Sequence, residues 1–315
     1  MSIFDTMPGR EKRDRAVLYN RQTMKMKIEG RLLYAYILQG TFLLAVMLFT
    51  FMTMDSPVIS IGEKQYSLLG ILTDRNVLIK CRQAMINDRF IAVYGFDSMK
   101  WFAILLPVIC ALPVLHVYES IDDNTRHFML IRMSKTKYCL IHFTAAFITG
   151  FAVVVCGITL YALITYAVLP SRSTVNAVGD LTGYYGSTAW ERFLSLAKKV
   201  SNTATAGGLM GCVVLIIYHL VRDRFLTVTT PMMLMYISDK LYILHDKKRF
   251  ENFDMITGPQ PDKICFLFPS NLGNMYYMLQ TECDVSYLWF FAGTAGLLIL
   301  LFVIYCKIYK GSVGK

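Results

Sequence analysis

Charged residues are scarce in this chain of 315 residues, and that shortage is the first constraint on its class. Only 17% of the residues are charged whereas 55% are hydrophobic, and the mean hydropathy is +0.45. The water-facing surface of a soluble protein of this size needs more charge, and a disordered chain needs more polar sequence. The composition excludes an ordinary globular enzyme, a disordered protein and a fibrous protein, and it predicts a polytopic membrane protein.

Motifs for catalysis, nucleotide binding and metal binding are also missing. No Gly-rich phosphate loop opens a helix, because the run at residues 310–315 lacks the first Gly at the required spacing. The eight cysteines lack the paired short spacing of zinc or iron–sulfur sites, and the five histidines lack the spacing of a metalloprotease helix. We expect no catalytic residue, no metal site and no directly bound cofactor, and an integral-membrane enzyme is disfavoured.

What the sequence does contain is long runs without charge, each near the roughly 20 residues that cross a bilayer as a helix. Five runs are clear and a sixth is shorter, since it meets Asp239 and Lys240. The predicted spans are Leu32–Met54, Trp101–Tyr118, Tyr138–Arg172, Val200–Val221, Phe225–Ser238 and Val285–Cys306. The fifth span is expected to be short or to end in an irregular outer segment. The predicted fold class is therefore all-α, with six transmembrane helices.

The net charge of +10 indicates orientation rather than a nucleic-acid partner. Lys and Arg are about twice as dense in residues 1–31, 119–137, 222–224 and 307–315 as in the loops on the other side. Positive residues near the membrane are retained in the cytoplasm, so both termini are predicted to be cytoplasmic. The long loops, including a large one before the last helix, are predicted to be external.

The chain divides into three predicted parts. Residues 1–31 form a cytoplasmic tail without a cleavable signal peptide, in which basic and apolar residues alternate from Arg10 to Arg31. That pattern favours an interfacial helix on anionic lipid over a solvated basic tail. Residues 32–308 form the transmembrane domain, and residues 309–315 form a second cytoplasmic tail.

Within the spans, small residues and charges suggest how the helices pack. Gly207 and Gly211 form a small-xxx-small pair that lets another backbone approach closely in lipid. The spans contain essentially no carboxylates, which argues against a proton-coupled transporter. His116, His142 and His219 fall near predicted cytoplasmic helix ends, where interfacial hydrogen bonding is the simplest interpretation.

The connection after the second span is the most informative segment. It begins with acidic residues and ends with basic ones, which matches the dipole of a short helix, and an apolar patch follows from Phe128. Either docking to a soluble partner or a plain amphipathic connector fits this pattern. The docking candidates are Glu119, Asp122, Asp123, Asn124, Thr125, Arg126, Phe128 and Arg132.

At this segment the sequence resembles the permease subunits of type-2 ABC exporters. These have an acidic residue after the second helix, then Gly-Thr, and then Ser-Arg or Ser-Lys before the third helix. Here Glu119, Asn124-Thr125 and Ser134-Lys135 take those places, with Asn in place of Gly. Asn tolerates the left-handed backbone better than most residues do, so the turn can survive. The layout of the chain, from interfacial helix to large external loop, is also similar.

The resemblance implies a multi-pass subunit of the bacterial plasma membrane. Two permease subunits, identical or related, would meet around a central pathway within the lipid membrane. The coupling helix at Glu119–Arg132 would bind in a cleft of a cytoplasmic ATPase subunit, which carries ATP and Mg. Short helices in the last external loop would form an outer gate with Phe266, Phe268, Tyr276 and Tyr277. In the same loop, Cys265 and Cys283 can pair or remain free.

Two functions remain open at this point. One is export of a peptide, an antibiotic or another amphipathic cargo, powered by the separate ATPase. The alternative is a membrane immunity or sensor subunit that binds or expels a bacteriocin without bulk transport.

Overall fold

The structure is a computed structural model. It describes residues 34–49, 59–61, 64–66, 74–77, 79, 89–97, 102, 104–116, 118, 134–168, 188–251 and 287–313. The docking segment from Glu119 to Arg132, the four outer-gate aromatics, the N-terminal interfacial helix, Cys265 and Cys283 lie outside these residues.

Helices account for almost all of the described structure, as the fold class predicted. In chain order they are α1 (Tyr34–Phe49), α2 (Arg89–Tyr94), α3 (Ile104–His116), α4 (Lys135–Val168), α5 (Ala189–Val221), α6 (Arg224–Glu251) and α7 (Tyr287–Val313). A 3₁₀ turn, Gly95–Asp97, follows α2. Two short strands, β1 (Ile59–Ile61) and β2 (Lys64–Tyr66), pair antiparallel with Ile59 opposite Tyr66.

Among the described residues, three helices are long and apolar enough to cross a membrane, namely α4, α5 and α7. Helices α1 and α3 are apolar but shorter. Helix α4 has 34 residues, which corresponds to about 51 Å at 1.5 Å per residue. Because the hydrocarbon core is about 30 Å thick, α4 is long enough to span it and to extend beyond it.

Helices α4 and α5 form the central antiparallel pair. A Cβ atom added to Gly211 would lie 2.6 Å from the carbonyl oxygen of Ala146, and one added to Gly150 would clash with the carbonyl oxygen of Gly207. Side chains larger than hydrogen therefore cannot fit where the two backbones meet. The glycine pair predicted for helix packing, Gly207 and Gly211, thus faces α4.

Within the described ranges, buried hydrophobic side chains form two clusters at opposite ends of this pair. We call one the hairpin end, because α5 ends there at Val221, Arg222 adopts a left-handed conformation with φ of 56°, and α6 begins at Arg224. Tyr138 of α4 and Tyr309 of α7 are buried at this end. At the other end, which we call the distal end, α1, α3 and the residues after α2 pack on α4.

The helices extend beyond the uncharged runs that predicted the spans, most clearly in α5, α6 and α7. Helix α5 begins at Ala189 instead of Val200, because Thr188 accepts a hydrogen bond from the Glu191 amide and Glu191 accepts one from the Thr188 amide. Helix α6 continues to Glu251 through Asp239, whose carboxylate lies 3.8 Å from Lys240 Nζ. Helix α7 continues to Val313. Backbone hydrogen bonds can continue a helix past the point where the uncharged sequence stops. Uncharged runs therefore predict the apolar part of a helix and not its first and last residues.

Candidate functional site

The hairpin end gathers aromatic and imidazole rings from four parts of the chain. We call this group the tyrosine–histidine cluster. Its members come from Tyr118, two residues beyond the end of α3, from the first turns of α4, from the last turn of α5 and from the C-terminal half of α7. They are Tyr118, Tyr138, His142, Tyr218, His219, Tyr305 and Tyr309.

A hydrogen bond between side chains ties α5 to Tyr118, two residues beyond the end of α3. The hydroxyl oxygen of Tyr118 lies 2.6 Å from Nε2 of His219, and Nδ1 of His219 lies 3.0 Å from the carbonyl oxygen of Leu215. A carbonyl oxygen only accepts, so Nδ1 carries the proton. In the neutral ring Nε2 then accepts the hydrogen bond that the Tyr118 hydroxyl donates.

Ring contacts extend the same cluster to α4 and α7. The centroid of Tyr138 lies 4.2 Å from that of His142 and 5.6 Å from that of Tyr309. The His219 ring lies edge-on to Tyr305 at 5.1 Å and to Tyr309 at 5.6 Å. Aromatic pairs at these separations and tilts are favourable beyond their buried area. The cluster therefore connects α4, α5 and α7 at one level of the bundle.

The described residues that flank the predicted docking segment in the chain belong to the cluster or lie close to it in sequence. Tyr118 precedes Glu119 directly, and its side chain is held by His219. On the far side, Ser134 caps α4: its hydroxyl accepts from the Lys137 amide at 3.4 Å, and its carbonyl accepts from the Tyr138 amide at 3.0 Å. The chain thus leaves the cluster at Tyr118 and rejoins it at Tyr138.

A cation makes the most distinctive polar contact at the distal end. Nζ of Lys199 in α5 donates a hydrogen bond to the carbonyl oxygen of Tyr94 at 2.7 Å. The same ammonium group lies 4.1 Å from the Tyr94 ring centroid and 5.4 Å from that of Phe96. It therefore fixes the end of α2 and the following 3₁₀ turn against α5.

Sequence reasoning missed how the tyrosines assemble. His142 and His219 are predicted as separate interfacial groups, but both belong to this cluster. His116 instead stacks on Tyr36, with ring centroids 4.7 Å apart. One local signal was available: tyrosine and histidine recur four residues apart at Tyr138 and His142, which places them on one helix face. The contacts between helices had no such signal.

Within the described part of the chain, no group of three or more His, Cys, Asp or Glu side chains is arranged to hold a metal ion. The cluster's chemistry is that of hydrogen bonds and of edge-on and tilted ring contacts, which fix the helices relative to one another. Comparisons with protein-family models, with curated proteins and with solved structures found no match to this chain.

Proposed function

We propose that this chain is the transmembrane permease subunit of an ATP-driven exporter in the bacterial plasma membrane. It would cross the membrane six times with both termini in the cytoplasm. A separate cytoplasmic ATPase would bind ATP and Mg, and a second permease subunit would complete the pathway. The cargo would be a peptide, an antibiotic or another amphipathic molecule, released past an outer gate that contains Phe266 and Tyr276.

The observation that carries this proposal is that the described residues on the two sides of the docking segment in the chain, Tyr118 and Tyr138, both belong to the tyrosine–histidine cluster. Tyr118 is bonded to His219 of α5, and Tyr138 packs against Tyr309 of α7. A partner that moved the segment from Glu119 to Arg132 would move these anchors with it. Because packed clusters shift as units rather than deforming continuously, the motion would reach α4, α5 and α7 together.

The outer surfaces of the bundle support a membrane location with further helical neighbours. In the span from Ala292 to Tyr309 only 11% of the residues are buried, against 67% in the span within α5. Apolar side chains such as Leu234, Ile237 and Ile299 are exposed by more than half. Lipid and a second permease subunit are the partners that such surfaces fit.

The docking segment can be tested by charge removal. We would replace Glu119 and Arg126 with Ala in the full chain and measure two quantities: the amount of ATPase that copurifies from native membranes, and the stimulation of its ATP hydrolysis. Both should fall at least tenfold. The matched control replaces Asp246 and Lys247 in the C-terminal half of α6, which also removes one charge of each sign, and it should leave both quantities unchanged. Equal association in all variants would remove the docking assignment.

A transport measurement distinguishes export from sensing. The chain and its ATPase would be reconstituted in sealed vesicles with fluorescent amphipathic peptides, and ATP-dependent accumulation would be measured. Export predicts accumulation that stops when ATP is replaced by a non-hydrolysable analogue. ATP hydrolysis without accumulation would instead support the immunity or sensor function.

A further inference from the structure

An exposed aromatic stripe runs along the first turns of α5, at the distal end. Trp190, Phe193, Leu194 and Ala197 recur at the i, i+3, i+4 and i+7 spacing of one helix face, and all four are exposed. Trp190 is 65% exposed and Phe193 58% exposed, and their rings stack with centroids 5.7 Å apart. Exposed apolar patches of this kind mark sites of interaction with a partner or a membrane.

The contacts of α5 with its neighbour α2 lie on the opposite side of the helix. Nζ of Lys199 donates to the carbonyl oxygen of Tyr94 at 2.7 Å, and the Ser195 hydroxyl lies 3.5 Å from the Tyr94 hydroxyl. In a helix with 3.6 residues per turn, Lys199 projects about 180° away from Trp190, and Ser195 about 140° away. The end of α2 therefore packs behind the stripe, and the stripe faces away from it.

The length of α5 places the stripe at the level of lipid headgroups. Its 33 residues measure about 50 Å, or about 47 Å along the membrane normal at a typical tilt of about 20°. A bilayer with both headgroup layers is about 40–45 Å thick. Because Arg222 and Arg224 place the hairpin end in one headgroup layer, the first turns of α5 reach the opposite one.

Helix α4 gives the same level independently. The close approach of Gly150 to Gly207 sets the antiparallel register, in which Leu163 lies level with Leu194. The candidate span in α4 continues from Lys135 to Ala167, and Leu163 is 63% exposed. The surface of α4 is therefore still apolar at the level of the stripe, as expected of a surface in contact with lipid rather than water.

The residue types of the stripe fit the headgroup layer better than water or hydrocarbon. Aromatic side chains, Trp above all, concentrate at this layer. Lys198 follows Leu194 by four residues and is exposed, so its ammonium group can reach a lipid phosphate. Glu191 and Arg192 lie in the same turns, and charges of this kind are costly in the hydrocarbon core.

We propose that the aromatic stripe binds the phospholipid headgroup layer on the membrane face remote from the hairpin end. Trp190 and Phe193 insert between headgroups, and Lys198 binds a lipid phosphate. Anchors of this kind set the depth and tilt of a helix, so the stripe holds α5, and α4 packed on it, in place in the membrane. The proposal depends on the membrane location of these helices and not on export.

The test is depth-dependent quenching of Trp190 fluorescence in the full chain, reconstituted in phosphatidylcholine bilayers. Trp101 and Trp289 are replaced by Phe, so that Trp190 is the only emitting tryptophan. A nitroxide quencher is attached either to the lipid headgroup or to the methyl end of the acyl chain, and iodide serves as the quencher in water. We expect the headgroup label to quench about threefold more strongly than each of the other two.

The matched control places a tryptophan at the middle of the membrane. Ile148 of α4 is 56% exposed, and Ile148→Trp in a chain whose three native tryptophans are replaced by Phe should be quenched best by the methyl-end label. Strongest quenching of Trp190 by iodide would place the stripe in water, and strongest quenching by the methyl-end label would place it in hydrocarbon. Protection from all three quenchers would place it beneath another part of the chain. Each of these results would overturn the proposal.

A charge reversal tests the contact with phosphate. Lys198→Glu places a negative charge beside the lipid phosphate and should lower quenching of Trp190 by the headgroup label about twofold, while quenching by iodide rises. Unchanged quenching by both would overturn the assignment of Lys198 to the site.

Discussion

The two ends of the central α4–α5 pair are held together by different chemistry. At the hairpin end, tyrosine and histidine rings from α4, α5 and α7 pack against one another, and the hydrogen bond to His219 adds Tyr118, which lies just beyond α3. At the distal end the core is mainly aliphatic and phenyl, and Lys199 holds the residues after α2 from one side. The hairpin end therefore depends more on contacts between rings than the distal end does, and it is the end that would receive motion from the ATPase proposed above.

The largest effect on stability should come from forcing α4 and α5 apart, because that would disrupt both ends of the pair at once. A Cβ atom at Gly207 would lie 2.5 Å from Cγ2 of Val154 and 3.1 Å from the carbonyl oxygen of Gly150. We expect Gly207→Leu to abolish the folded state, since backbone cannot yield as a side chain does and overpacking of ordinary side chains already costs about 1–3 kcal/mol. The measurement is the yield of monodisperse protein in detergent.

The matched control for that change is another glycine in a membrane helix. A Cβ atom at Gly293 in α7 would meet nothing within 4 Å. Gly293→Leu should therefore give a wild-type yield. If both leucine variants behaved alike, the close packing of α4 on α5 would not be what holds the bundle together.

Creating a cavity at the hairpin end by truncating a buried ring should have the next largest effect on stability. Tyr138 is fully buried, so Tyr138→Ala should lower the free energy of unfolding by about 3 kcal/mol, in the range for truncating a large buried ring. Thermal unfolding followed by intrinsic fluorescence measures the change. Tyr34→Ala changes a residue that is 71% exposed and should leave the midpoint of thermal unfolding unchanged within error. An equal shift of the midpoint in both variants would show that the cluster makes no special contribution to stability.

The distal end is tested by removing its cation. Lys199→Met keeps the length of the side chain but loses the hydrogen bond to Tyr94 and the attraction to two rings, at a cost of about 1–2 kcal/mol. Hydrogen exchange should accelerate in residues 89–97 and stay unchanged in the last turn of α5. Lys198→Met, at an exposed neighbour, is the control. Faster exchange at both ends would mean that the ends are not independent.

The smallest effect should come from one hydroxyl group. Tyr118→Phe removes the hydrogen bond to His219 while the ring stays, so the loss of stability should be about 0.5–1.5 kcal/mol. The larger consequence is expected in coupling: ATPase association should persist while stimulation of hydrolysis falls. Stimulation at the wild-type level would show that the Tyr118–His219 bond does not carry motion.

Some features of the two ends can be predicted from the sequence, and others cannot. Uncharged runs located the three described helices that are long and apolar enough to cross a membrane, α4, α5 and α7, because partition into lipid depends on local composition. They could not locate the start of α5 at Ala189, which depends on the Thr188 cap. The spacing of Gly207 and Gly211 indicated a packing surface, yet its partners in α4 could not be predicted from sequence. Tyr118, His219 and Tyr305 are far apart in the chain, so only tertiary packing brings them together.

The most direct test of the central claim is site-specific photo-cross-linking in native membranes. A photoreactive aromatic residue would replace Phe128 in the docking segment or, as a control, Asp246 in α6, and adducts would be identified by mass spectrometry. The account predicts an adduct between position 128 and an ATPase that contains a phosphate loop, and none from position 246. Adducts from position 128 with lipid or with this chain alone would contradict it.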